Sequence, residues 1–176
     1  MNLLGSKTEK NLLAAFAGES MARNRYTFYG SQAKKEGYEK VAQVFELTAD
    51  NERAHAKQIF KYLSGISDTA ENLKNAGFGE HEEWSEIYKT ASEVAYEEGF
   101  DEIGKFFKGL QQIEHDHEER FVALQKQVAD GTMFKDVPET KWICKNCGHV
   151  HTGATPPESC PVCKHPQAFF ERKQGS

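Results

Sequence analysis

Ahead of Pro138, this 176-residue chain contains neither proline nor cysteine. Without proline, nothing in that stretch is compelled to break a helix. Without cysteine, no disulfide framework can staple it. Long apolar runs are missing too: no segment approaches the roughly 20 apolar residues of a membrane span. The N-terminus, Met1 to Lys7, reaches charge before any apolar run of signal-peptide length, so a cytoplasmic protein is expected. Basic charge is scarce where it would matter. Residues 1–134 carry 16 basic against 23 acidic side chains and residues 135–176 carry 6 against 4, for a net charge of -5. An acidic body of this kind argues against nucleic acid as a partner. A nicotinamide or flavin fingerprint is lacking as well. Gly77-Phe-Gly79-Glu-His-Glu82 has no third glycine and no preceding strand, and it reads as a turn. With 38% hydrophobic and 28% charged residues, the chain suits one ordinary soluble domain plus a small module.

What is present is a repeat. Glu19 is followed by Glu52-x-x-His55, and Glu83 by Glu114-x-x-His117, at nearly equal spacing. Glu36-Gly37-Tyr38 aligns with Glu98-Gly99-Phe100, and the same offset links Phe45 to Phe107, Glu52 to Glu114 and His55 to His117. The chain reads as a duplicated helical hairpin. Helices are expected over 8–35, 38–64, 80–98 and 100–129, punctuated at Gly37, Ser64-Gly65, Gly99 and Asp130-Gly131, with Asn75 to Gly79 in the connection before the third.

A Glu and a His three apart on a helix share one face and can grip a cation from one direction. On the last helix Ile103, Phe107, Leu110, Glu114, His117, Phe121 and Leu124 form one apolar stripe; on the second, Val41, Phe45, Thr48, Glu52, His55, Ile59 and Tyr62 do the same. Glu19 shares a face with Leu12, Phe16 and Tyr26. Ionised carboxylates on core-facing stripes cost several kcal/mol each unless paired or coordinated. Glu80 and Glu83, three apart, can face the same ions. Five glutamates and two neutral histidines then nearly balance two divalent or trivalent cations, and oxygen-rich ligation suits iron or manganese. The set is that of the ferritin-like di-iron and di-manganese bundles, an assignment taken from that class. Tyr26 and Tyr88 serve either as hydrogen-bond donors to ligand carboxylates or as packing residues. His81, Glu82, His115, Asp116 and Glu119 point elsewhere around their helices, and Glu118-Glu119-Arg120 reads as a solvated face.

After Pro138 the chain changes character. The pattern Cys144-x2-Cys147-x12-Cys160-x2-Cys163 supplies the two knuckles of a tetrahedral four-thiolate site. Iron and zinc share this spacing. His149, His151 and His165 are not needed, since four thiolates complete the shell.

Taken together, these motifs resemble the rubrerythrins over nearly the whole chain. Ala15 to Tyr26 looks like that family's first-helix motif and Asp50 to Lys57 its second; Glu80 and Glu83 match its paired carboxylates, Glu114 and His117 its last pair, and the four cysteines its iron-binding knuckles. Lys164, where rubredoxins often have glycine, and His149, where an aromatic is common, are departures that remove no ligand. The resemblance implies a mainly α protein: a ferritin-like four-helix bundle over 1–134, then a small rubredoxin-like, metal-stapled β/loop domain over 135–176. It implies two irons on Glu19, Glu52, His55, Glu80, Glu83, Glu114 and His117, and one iron, with zinc as a possible substitute, on Cys144, Cys147, Cys160 and Cys163.

It further implies a hydrogen peroxide reductase protecting against oxidative stress. The bundle irons take peroxide to water and the tail iron resupplies electrons from an external donor, an NAD(P)H-dependent reductase or a rubredoxin. In the family an iron moves with redox state, here between His55 and Glu83, and the tail of one chain serves its partner in a homodimer or higher homo-oligomer. Two other classes compete. An iron-oxidising storage protein makes no use of the tail. A zinc-ribbon interaction module leaves seven converging ligands unexplained.

Overall fold

The computed structural model describes residues 3–173. Helices α1 (Lys7–Lys35) and α2 (Glu39–Tyr62) form one hairpin. The second comprises α3 (Thr69–Glu82), a π-helical turn (Glu83–Ile87), α4 (Tyr88–Glu97) and α5 (Asp101–Ala129). Three short strands follow, β1 (Lys141–Cys144), β2 (Val150–Thr152) and β3 (Phe170–Arg172). The chain divides into two compact units, Met1–Ser67 and Asp68–Ser176.

The two hairpins turn in the same way. At Gly37 (φ +84°) the amide bonds back to the Lys34 carbonyl and the Tyr38 amide to Ala33; at Gly99 (φ +82°) the same pair of bonds reaches Tyr96 and Ala95. Both are left-handed caps that only glycine adopts without strain. Small residues then let the helices approach. In the first hairpin Gly30 lies beside the Ala42 carbonyl, and Ala33 and Ala42 are both buried. In the second, Ser92 and Ala95 take the equivalent places, and the Ser92 hydroxyl donates to the Gly104 carbonyl at 2.9 Å.

The third helix begins at Thr69, well before the expected start at 80, and Gly77 to Glu82 are helical and not a turn. Asp68 caps it, its carboxylate accepting from the Glu71 amide at 2.9 Å. Asp68-Thr-Ala-Glu71 is a helix-start signature that the glycines downstream obscured. Gly77 is not punctuation: it is buried within α3, beside Val122 and Phe121 of α5.

The tail sheet has the order β2-β1-β3, antiparallel throughout. Its core is Trp142, Cys144, Cys160 and Phe170, with Cys163 against it. A core of four side chains is too small to carry a fold alone, which is why a metal staple belongs here.

Candidate metal centres

In the first hairpin, α1 presents Glu19, and α2 presents Glu52 and His55 from one face. One ligand atom of each lies within 4.8 Å of the others. His55 Nδ1 is 2.9 Å from Glu52 and 3.6 Å from Glu19. Metal–ligand bonds near 2.1 Å place neighbouring donor atoms about 3 to 4 Å apart, so the group fits one cation. A hydrogen bond with Glu52 raises the Glu19 carboxyl above its ordinary value, aided by burial. The same bond, with His55, lowers Glu52. His55 is raised, chiefly by Glu52. Like charge crowded in this way is what a bound cation relieves.

The second hairpin repeats the group with Glu80 from α3 and Glu114 and His117 from α5, again within 4.8 Å. His117 Nδ1 lies 2.7 Å from Glu114 and 3.8 Å from Glu80. Glu114, 9% exposed, is the one buried charged side chain among the described residues. Burial, then the Glu114 charge, raises the Glu80 carboxyl. Glu83 stands outside this tight group, at the start of the π turn, and meets the Tyr88 hydroxyl. Burial first, then Glu83, pushes the Tyr88 phenol above its usual value. Tyr26 packs its ring against Tyr29 and Phe45.

The structural counterpart of Glu19 is therefore Glu80, not Glu83. Among the side chains set aside from sequence, Glu118 is no solvated carboxylate: it accepts from Trp84 Nε1 at 2.5 Å and faces His81 Nδ1 at 3.1 Å. His115, Asp116 and Glu119 also bring donor atoms together, with Asp116 and Glu119 exposed to solvent.

In the tail, Cys144 and Cys163 Sγ are 3.7 Å apart, as are Cys147 and Cys160. The edge of a tetrahedron with 2.3 Å metal–sulfur bonds is about 3.8 Å. The two knuckles match: the Cys144 amide bonds to the His149 carbonyl and the Cys160 amide to His165, each at 2.8 Å. Lys164 (φ 62°) occupies the left-handed position that Gly148 (φ 76°) fills in the other knuckle. The His165 backbone N–H pulls the Cys163 thiol down to about 5 against opposing burial. Cys147 accepts from the His149 N–H, yet its bond with Cys163, burial and the other two cysteines together push it up to about 12. Shared protons of this kind are released when four thiolates close on a metal.

The rubrerythrin family's sequence profile matches residues 10–125, and that of the rubrerythrin rubredoxin-like domain matches residues 142–171. The chain is 49% identical to the rubrerythrin of Porphyromonas gingivalis, covering 97% of this chain and 92% of that one. It is 45% identical to the rubrerythrin of Nitratidesulfovibrio vulgaris, covering 97% and 96%. Nigerythrin, solved fully reduced and all ferrous, is 28% identical over 97% of this chain and 91% of that one, with a TM-score of 0.36. The carboxylate–imidazole groups suit a ferritin-like di-iron site and the knuckles a four-cysteine rubredoxin-like site. With both profiles matched in order and nearly the full length shared with curated relatives, the chain belongs to the rubrerythrin family.

Proposed function

We propose that the protein is a hydrogen peroxide reductase, with a bundle module over 1–134 and an electron-relay module over 135–176. The observation that carries this reading is one chain holding two carboxylate–imidazole groups together with a four-thiolate site. Glu19, Glu52 and His55 with Glu80, Glu83, Glu114 and His117 hold two irons, and Cys144, Cys147, Cys160 and Cys163 hold one. When bound, the bundle irons supply the two electrons that, with two protons, convert peroxide to two waters, and the tail iron replaces them one at a time.

The chain's own residues set the conditions. Glu114 brings a buried negative charge that favours a cation at that position. The raised Tyr88 phenol keeps its proton at neutral pH, so its hydroxyl donates to Glu83 and fixes that carboxylate's direction. His55 and His117 each offer one nitrogen while the neighbouring Glu52 and Glu114 orient the ring.

The external donor is an NAD(P)H-dependent reductase or a rubredoxin, and the location is the cytoplasm, where the four free cysteines stay reduced. A homodimer or larger homo-oligomer is supported by the apolar side chains each hairpin leaves exposed, among them Phe28, Val44, Leu47, Phe78 and Phe106. No helix among the described residues is long and apolar enough to cross a membrane.

The test begins with anaerobic protein: metal content, visible spectrum, then one equivalent of peroxide added to the reduced form. About three irons per chain and rapid two-electron oxidation without radical release are expected. In Cys144→Ser, chemically reduced bundle iron should still react while turnover with an external donor stops. Zinc in the tail with no reaction at the bundle would overturn the proposal.

A further inference from the structure

The second hairpin contains one residue more than the first, and the structure shows where it goes. Upstream of Glu83 the repeat pairs Leu12 with Leu73, Ala15 with Ala76 and Glu19 with Glu80; downstream it pairs Tyr26 with Tyr88, a register longer by one. The π turn Glu83–Ile87 lies between the two registers and takes up the extra residue. In it the Tyr88 amide bonds to the Glu83 carbonyl, one residue further back than in an α-helix. A widened turn of this kind disturbs the regular ladder and needs other support.

Support comes from α5. Gln111 Nε2 donates to the Trp84 carbonyl at 2.9 Å, and Lys108 Nζ donates to Gln111 Oε1 at 2.9 Å, which fixes the amide's orientation. Further along the same helix, Glu118 accepts from the Trp84 indole. Gln111 and Glu118 flank Glu114 along α5, one turn to either side. Trp84, the residue after Glu83, is thus gripped at its backbone and at its side chain by the same helix that carries Glu114 and His117.

The first hairpin is an internal control. At the equivalent positions of the repeat, α2 carries Ala49 and Ala56, both buried, and α1 runs as one unbroken α-helix. Where there is no widened turn, there is no grip.

We propose that Gln111 and Glu118 are positioning residues that hold the π turn, and through Trp84 set Glu83 and the Tyr88 hydroxyl relative to Glu80, Glu114 and His117. The inference rests on the proposed di-iron reading of these ligands. The grip itself is a property of the fold that can be read without catalysis.

The test uses the full iron-loaded chain. Gln111→Met removes the amide donor at nearly constant volume, and Trp84→Phe removes the indole donor. Glu118→Gln keeps an acceptor oxygen and serves as the conservative control. In the first two, amide exchange over residues 84–89 should accelerate by tenfold or more, the reduction midpoint of the bundle irons should shift, and the tail iron's spectrum should stay unchanged. Glu118→Gln should retain both parent values. Unchanged exchange and midpoint in Gln111→Met and Trp84→Phe overturn the proposal. If one variant loses the tail spectrum and its helix content, it has lost the fold and the other decides. If the parent consumes no peroxide but the loosening and midpoint shift still appear, the catalytic reading fails and the positioning role stands.

Discussion

Glu114 concentrates the chemistry at the scale of one residue. It is buried, lies 2.7 Å from His117 and faces Glu80 across the hairpin. Leaving such a charge without its counter-ion costs several kcal/mol, so cation binding and local stability are coupled there. Glu114→Gln should therefore lower iron occupancy of the bundle while raising the thermal midpoint of the metal-free protein. The tail iron's spectrum should be intact. Metal analysis with paired melts of apo and loaded protein reads this, and an apo midpoint lower than the parent's would contradict the account. At this scale the sequence was most legible at Glu114, the charged residue that interrupts an apolar stripe and is buried, whereas His55 on the corresponding stripe of α2 is exposed. The sequence was least legible for Glu118. A carboxylate within a charged run looks solvated until Trp84, on the preceding hairpin arm, is found donating to it, and no periodicity encodes that contact.

The scale of elements is governed by the duplication. The repeat carries over the caps as well as the ligands, so Gly37 and Gly99 are equivalent and should respond equally. Alanine at either position forces a side chain into the left-handed region at about 1–2 kcal/mol, and Gly37→Ala and Gly99→Ala should each show that loss in chemical denaturation. Ala42, fully buried where α1 and α2 cross, predicts a steric counterpart: Ala42→Leu should cost about 1–3 kcal/mol by overpacking, whereas Ala15→Leu, at an exposed position of α1, should be nearly neutral. The early start of α3 and the π turn show what pattern reading missed and why. Gly77 and Gly79 are poor helix formers, but the Asp68 cap and the packing of α3 on α5, with Gly77 buried between them, outweigh local propensity. The π turn was written in the sequence as the extra residue that separates Glu80 from Tyr88, compared with Glu19 from Tyr26; matching Glu19 to Glu83 concealed it.

For the whole molecule the question is how the tail is joined to the helices of its own unit, and here Arg172 is the central residue. From β3 its guanidinium bonds to Asp136 at 2.6 Å, to Gln127 on α5 at 2.9 Å, and to the carbonyls of Lys135 at 2.8 Å, Thr132 at 3.1 Å and Met133 at 3.4 Å. It also lies over the Trp142 ring, 5.0 Å from the centroid. One planar fork thus ties the tail's sheet to the end of α5 and to the linker, and no sequence pattern signals it because the partners are mostly backbone carbonyls. Arg172→Met should leave the four-cysteine spectrum unchanged, since the knuckles close on their own backbone bonds, while making the linker around residues 130–140 sensitive to protease. The same latch should respond to acid. Arg172 beside it, followed by the Val137 amide, holds the Asp136 carboxyl below its ordinary value. A carboxyl depressed in the folded state stabilises that state in full above its unfolded pKa, about 3.9, and the contribution is lost as pH falls from there through the folded value. Carbon-detected titration of Asp136 should therefore give a midpoint below the ordinary carboxylate range in the parent and a normal one in Arg172→Met. Linker cleavage by an acid-active protease should rise in the parent as pH falls from about 3.9 towards that depressed midpoint and level off below it, and in Arg172→Met cleavage by a neutral-active protease should already be high at neutral pH. An ordinary Asp136 midpoint in the parent would show that the latch does not hold in solution.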